Sequence, residues 1–147
     1  MKYDKLTKYF ENDKTLTELL NELKETFDII DDYTQQFMSD IMQTSDELRV
    51  AKTKLTGITA YLNPIYSKAL SLKKQREYRY YVKKKVDCET NNIKFTDSST
   101  TTEAKDAVNM YRGVRDLIFG YVKAAESLIY DCKDRLEANR REYAGTK

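Results

Sequence analysis

An all-α protein, an elongated helical hairpin or bundle of three to four helices with coiled-coil-like seams, is predicted by three features of the chain. Apolar residues recur every three or four positions over long stretches, the mark of helices with one buried face. Four glycines and one proline in 147 residues are too few for a turn-rich β-sandwich or a disordered linker. Charged residues make up 34% of the chain, in keeping with broad solvated helix faces. The length predicts one domain, 1–147, able to bury ~70% of its unfolded surface.

The first segment, 1–47, is acidic and helical. Residues 1–14 set Tyr3, Leu6, Tyr9 and Phe10 among charges, as a short helix or a loose arm. Asp13 or Thr15 caps the next helix. From there Leu16, Leu19, Leu20, Leu23, Phe27, Ile30, Tyr33 or Thr34, Phe37 and Ile41 trace one helix face. Around Thr44-Ser45-Asp46 either the helix runs on or a break falls, with Thr44 or Ser45 capping a new helix and Glu47 near its positive end.

Residues 48–86 form the most regular stretch. Leu48, Ala51, Leu55, Ile58, Leu62, Ile65, Ala69 and Leu72 alternate steps of three and four, an unbroken heptad seam. It passes through Asn63-Pro64, so either one kinked helix or two helices meeting at Asn63 is expected, and the kept register favours the kink. Residues 87–102 have no helical period and are rich in Ser, Thr, Asn and Asp, which predicts a loop. Thr100-x-x-Glu103 has the pattern of a capping box opening the last helix, 103–143. There Ala104, Ala107, Tyr111, Val114, Ile118, Tyr121, Ala125, Leu128 and Cys132 again step by three and four. Val108, Leu117, Val122 and Ile129 widen the stripe, so this helix needs two neighbours. Gly113 and Gly120 are placed to permit close helix contact, although ordinary local packing explains them as well. Cys132 reads as a small buried residue and Cys88 as a thiol at a helix end.

Chemistry is limited by what is missing. The chain has no histidine and no tryptophan, which removes the commonest general base and metal ligand. No P-loop, Gly-x-Gly-x-x-Gly or spaced metal-ligand set occurs, and the two cysteines make neither a zinc site nor a disulfide framework. No catalytic residue, metal or cofactor is expected. No apolar run approaches the ~18 residues of a membrane span, and no signal-peptide core comes after the N-terminus, so an intracellular chain without a membrane partner is expected.

Charge is unevenly placed. Residues 1–50 carry six Lys/Arg against twelve Asp/Glu, residues 51–100 eleven against four, and residues 101–147 nine against eight. The basic excess is concentrated in 73–85, Lys-Lys-Gln-Arg-Glu-Tyr-Arg-Tyr-Tyr-Val-Lys-Lys-Lys, where seven of thirteen residues are cationic. On a helix Lys73, Arg76, Arg79, Lys83 and Lys84 share an arc of about 140°, with Tyr80 inside it. That arc continues the apolar face of Ile65, Ala69 and Leu72, whereas Tyr78, Tyr81, Val82 and Val86 project to the opposite side.

Unpaired cations on a buried seam are costly, so the seam must open, rotate or meet acids here. Two readings stand. In the structural one, Asp31, Asp32 or Glu47 neutralises the arc. In the functional one, Lys73, Lys74, Arg76, Arg79, Lys83, Lys84 and Lys85 hold a phosphate backbone while Tyr80 stacks on a base, as in sequence-tolerant single-strand binders. An anionic lipid or other acidic partner is a third reading, and a membrane surface would require exposed aromatics beside the cations.

The order of parts adds to this. Tyr66-Ser67-Lys68-Ala69-Leu70, the 73–85 tract, a Thr/Ser loop, and a long helix from Ala104 to Arg140-Arg141-Glu142-Tyr143-Ala144-Gly145 together resemble the small recombination mediators of tailed phages, the UvsY family. The likeness covers roughly 55–145 and leaves the first 50 residues outside it. Arg76 to Arg79 stands nearest to that family's Lys-x-Arg element for DNA contact, at a different spacing. The resemblance implies a non-enzymatic phage protein in the bacterial host cytoplasm that binds single-stranded DNA and contacts the single-strand-binding protein. It also implies help in loading a RecA-like recombinase. A ring-like homo-oligomer is implied too, with Tyr111, Val114, Ile118, Tyr121, Ala125 and Leu128 packing between copies as well as within one. The alternative is a helical structural or interaction protein, such as a phage virion component or internal packaged protein.

Overall fold

The structure, a computed structural model, describes residues 1–39, 41 and 43–145. The described residues form five helices and no strand: α1 Tyr3–Tyr9, α2 Asp13–Met38, α3 Ser45–Thr90, α4 Asp97–Ala107 and α5 Asn109–Gly145. The fold is all-α. Two compact units divide the chain, one of Met1–Leu19 with Ile65–Leu117 and the other of Leu20–Pro64 with Ile118–Lys147.

Helix starts are set by short polar motifs. Ahead of α2, Asn12 is the capping residue: its Oδ1 accepts from Thr15 N at 3.0 Å, and Thr15 Oγ1 accepts from Asn12 N at 3.0 Å. The expected cap at Asp13 or Thr15 is thus corrected to Asn12, with Thr15 as its reciprocal partner. Thr44 and Glu47 form the anticipated cap of α3 as a reciprocal box, Thr44 Oγ1 accepting from Glu47 N at 3.2 Å and Glu47 Oε2 from Thr44 N at 3.4 Å.

Helix α3 runs unbroken for 46 residues with Pro64 inside it. Pro64 and Ala60 are both exposed, so water can satisfy the Ala60 carbonyl that proline leaves without its helical donor. Of the two options at Asn63-Pro64, the chain takes the single helix.

The predicted 87–102 loop is shorter. Helix α3 continues to Thr90, and α4 already begins at Asp97. Asn92 takes a left-handed conformation, φ 54°, in the turn between them. Thr100 therefore lies inside α4, 3% exposed, and does not cap it; Thr96 occupies the N-cap without a side-chain bond. The Ser/Thr content favours turns locally, but Thr100, Ala104 and Val108 recur at helical spacing and are all buried. Burying that stripe outweighs the local preference. The last helix is likewise divided at Val108, α5 starting at Asn109.

In the first unit Leu6, Phe10, Leu16, Leu19, Ile65, Ala69, Ala104, Val108, Tyr111 and Val114 are buried. In the second, Leu23, Phe27, Ile30, Leu48, Leu55, Leu62, Ile118, Val122, Ala125 and Cys132 form the interior. Phe27 stacks on Tyr121 with ring centroids 4.1 Å apart, and the Tyr121 hydroxyl donates to Asp31 at 2.9 Å. Cys132 is fully buried, and burial pushes its thiol pKa up. Gly113 and Gly120 have nothing within 4 Å of a built Cβ, so neither serves a close helix approach within the chain.

The six residues expected to pack between copies sit inside their own units. Tyr111, Val114, Ile118, Ala125 and Leu128 are 8% exposed or less, and Tyr121 is half-buried.

Candidate nucleic-acid interface

The basic tract occupies the C-terminal half of α3, in the first unit. The structure sorts its cations into two sets. Arg76 belongs to the interior set. Its Nη2 donates to the carbonyl oxygens of Phe10 at 2.8 Å and Glu11 at 3.2 Å. These are carbonyls left over at the end of α1, where a cation is favoured. The guanidinium carbon lies 4.5 Å from the Tyr111 ring centroid, a cation–π contact. Tyr111 donates its hydroxyl to the same Phe10 oxygen at 3.0 Å. Burial raises the Tyr111 pKa, with the Arg76 charge opposing it.

Lys73 and Lys84 are also engaged. Lys73 pairs with Glu77 at 2.9 Å, and both side chains are mostly covered. Lys84 lies 3.9 Å from Glu103, which accepts the Tyr80 hydroxyl at 3.3 Å. Tyr81 donates to Asp97, which raises its pKa first through that bond and then through burial. The Tyr81 ring meets Phe95 edge-on at 5.6 Å. Tyr80 is half-buried, with its hydroxyl held by Glu103 of α4.

Lys74, Arg79, Lys83 and Lys85 form the outer set. All four are exposed, and none has a carboxylate within ion-pair distance among the described residues. Lys85 lies 5.9 Å from the Phe95 ring centroid. Tyr78, Val82 and Val86 accompany them, 69%, 38% and 51% exposed.

The placement of these residues corrects the helical projection. The projection puts Lys73, Arg76, Arg79, Lys83 and Lys84 on one arc, with Tyr78, Tyr81, Val82 and Val86 on the opposite side. The covered face instead runs from Ala69 through Lys73, Arg76, Glu77, Tyr80 and Tyr81 to Cys88, because the end of α1 takes Arg76 and α4 takes Tyr80 and Tyr81. Arg79 and Lys83 are left exposed beside Tyr78, Val82 and Val86.

The acids that meet the tract are Glu77, Asp97 and Glu103, not the anticipated Asp31, Asp32 or Glu47. Asp31 accepts from Tyr121, and Glu47 is used in the α3 cap. No local pattern identified Asp97 and Glu103, because their roles depend on how α4 packs on α3.

Beside the outer set, Lys73, Lys74, Tyr78, Tyr81 and Ala104 wall a cleft of about 410 Å³. No group of three or more metal-ligating side chains occurs among the described residues. None of their helices is long and apolar enough to cross a membrane. No family model, no curated protein and no solved structure matches the chain.

Proposed function

We propose that this is a non-catalytic protein that binds single-stranded nucleic acid along the outward face of α3. The observation that carries the reading is the strip Lys74, Tyr78, Arg79, Lys83 and Lys85, cationic, exposed and free of ion-paired carboxylates among the described residues. A phosphate backbone satisfies the cations. The exposed Tyr78 ring, at the edge of the cleft it shares with Lys74, offers a stacking surface to a base. This role belongs to Tyr78 in place of Tyr80. Arg76 supports the strip by fixing α3 to the end of α1.

The biological role proposed is that of the mediator class the sequence resembles: holding single-stranded DNA as a homo-oligomer and assisting a RecA-like recombinase in a phage-infected bacterial cytoplasm. The bundle with coiled-coil-like seams belongs to the same proposal. A helical structural or virion protein is the second reading. It is favoured by the exposed ridge of Tyr78, Val82 and Val86, whose spacing of four suits a neighbouring helix.

The test is the double variant Arg79→Ala with Lys83→Ala, titrated with a fluorescent oligothymidylate at several salt concentrations. Four phosphate contacts give a salt slope of about −3, and losing two reduces it by about 1.4. An unchanged slope and affinity, with unchanged helicity, removes the strip from the function and leaves the structural reading.

A further inference from the structure

The second unit holds a cleft that plays no part in strand binding along α3. It measures about 760 Å³ and lies where the first turns of α3 meet the last turns of α5. We infer that this cleft is a second anion site, shaped for the phosphate groups of a nucleic-acid strand or a free polyphosphate.

Four cations line it. Arg49 and Lys52 come from α3, and Lys133 and Arg140 from α5, against the carboxylates of Glu137 and Glu142. Helical periodicity explains the grouping: 49 and 52 are three apart, and 133 and 140 are seven apart, so each pair shares a face. Few of these charges are committed elsewhere. Lys52 is half-buried, Arg140 is exposed, and neither has an ion-pair partner among the described residues. Arg49 pairs only with Asp46, at 3.1 Å in a contact 67% and 95% exposed, which an incoming phosphate displaces at little cost. Lys133 lies 5.2 Å from the Tyr130 ring centroid. Glu137 is drawn to Arg141 at 3.4 Å.

The walls are tied to one another by bonds that leave the cations available. Asn139 Nδ2 donates to Gln43 O at 3.4 Å and Ser45 Oγ at 3.3 Å. Arg135 donates to Phe37 O at 2.9 Å and to the Gln43 side chain, with its guanidinium carbon 4.5 Å from the Phe37 ring centroid. These bonds order the cleft before a ligand arrives, which lowers the entropy cost of binding. Its volume is in the range of small-ligand sites, but its polar, cationic lining differs from the mostly apolar lining of most of them. That chemistry selects multiply charged oxyanions over apolar metabolites.

The site is independent of the α3 strip, and the experiment keeps the two apart. The full chain is titrated with inorganic tripolyphosphate, by calorimetry and by amide NMR. Wild type is expected to bind with shifts concentrated in 45–52 and 133–143. Lys133→Glu with Arg140→Glu, both at exposed positions, is expected to weaken binding about tenfold or more. Lys52→Gln provides a second, uncharged variant with the same direction of effect. Arg79→Ala with Lys83→Ala leaves tripolyphosphate affinity unchanged if the cleft is the site. The inference is overturned if wild type does not bind, if the cleft variants bind as wild type does, or if only the strip variant loses binding. Displacement of tripolyphosphate by oligothymidylate assigns the cleft to a strand, and retention assigns it to free polyphosphate. Loss of oligonucleotide binding in the strip variant alone, with the cleft silent, overturns the cleft site and keeps the strand-binding role of α3.

Discussion

Helix α3 is held by different physics in its two halves. In the second unit it buries Leu48, Ala51, Leu55 and Leu62, and the contact is apolar. In the first unit it buries Ile65 and Ala69, and then no residue is fully buried until Cys88. Across that interval α3 is secured by Arg76 on two carbonyls and a ring, by Tyr80 on Glu103 and by Tyr81 on Asp97. Apolar contact is nondirectional and tolerates many partners. The polar half depends on a few bonds with fixed geometry, and its outward surface is left free to be cationic.

The largest expected effect sharpens this contrast on the apolar side. Leu55→Ala, at a fully buried position, should cost about 2–5 kcal/mol in urea denaturation through lost transfer energy and a residual cavity. Arg76→Ala should cost about 1.5–3 kcal/mol by the same measurement, because it leaves the Phe10 and Glu11 carbonyls without their charged donor. Arg76→Lys should recover only part of that loss, since an ammonium cannot reproduce the planar fork or the ring stacking. A negligible cost for Arg76→Ala would break the comparison, for it would mean that α3 is held there by something other than these bonds.

The smallest effect is a pH dependence. Tyr111 in the first unit and Tyr121 in the second both have pKa values raised above the usual 10.0, chiefly by burial, and in Tyr121 also by its bond to Asp31. A raised folded-state pKa favours the protonated phenol in the native state. Its contribution is therefore complete below the unfolded value near 10 and is lost as pH rises through and beyond it. Thermal melts should fall more steeply above pH 10 in wild type than in Tyr111→Phe or Tyr121→Phe. Equal slopes in all three would remove the phenols from the linkage.

Most of the helical framework was legible in the sequence, because it rests on local periodicity. The stripes Leu16 to Ile41, Leu48 to Leu72 and Ala104 to Cys132 fall largely on covered helix faces, except that Ile41 lies past the end of α2 at 73% exposed and Ala107 is exposed, and Thr44 is the one of the two expected residues that caps α3. Apart from the α2 cap, which the local Asn12-x-x-Thr15 pair does signal, the errors share a cause in longer-range packing. Residues 97–102 carry turn chemistry, and only the burial of Thr100, Ala104 and Val108 together makes them helical. The candidate site was legible as a charge run but not as a surface. A helical projection puts Arg76 and Arg79 on one arc, and only the packing of α1 and α4 on α3 covers Arg76 and Tyr80 while leaving Arg79 exposed. Nothing near Arg76 signals that its partners lie at Phe10 and Glu11, more than sixty positions earlier.

The two free cysteines are both buried, and they fall one to each unit, Cys88 in the first and Cys132 in the second. The chain thus carries two native reporters of local opening. A small alkylating reagent reaches Cys132 only when its surroundings come apart, while Cys88, 6% exposed at the wall of a cleft, requires a smaller opening. Peptide-resolved labelling rates would then time the breathing of each half separately, without a single engineered probe.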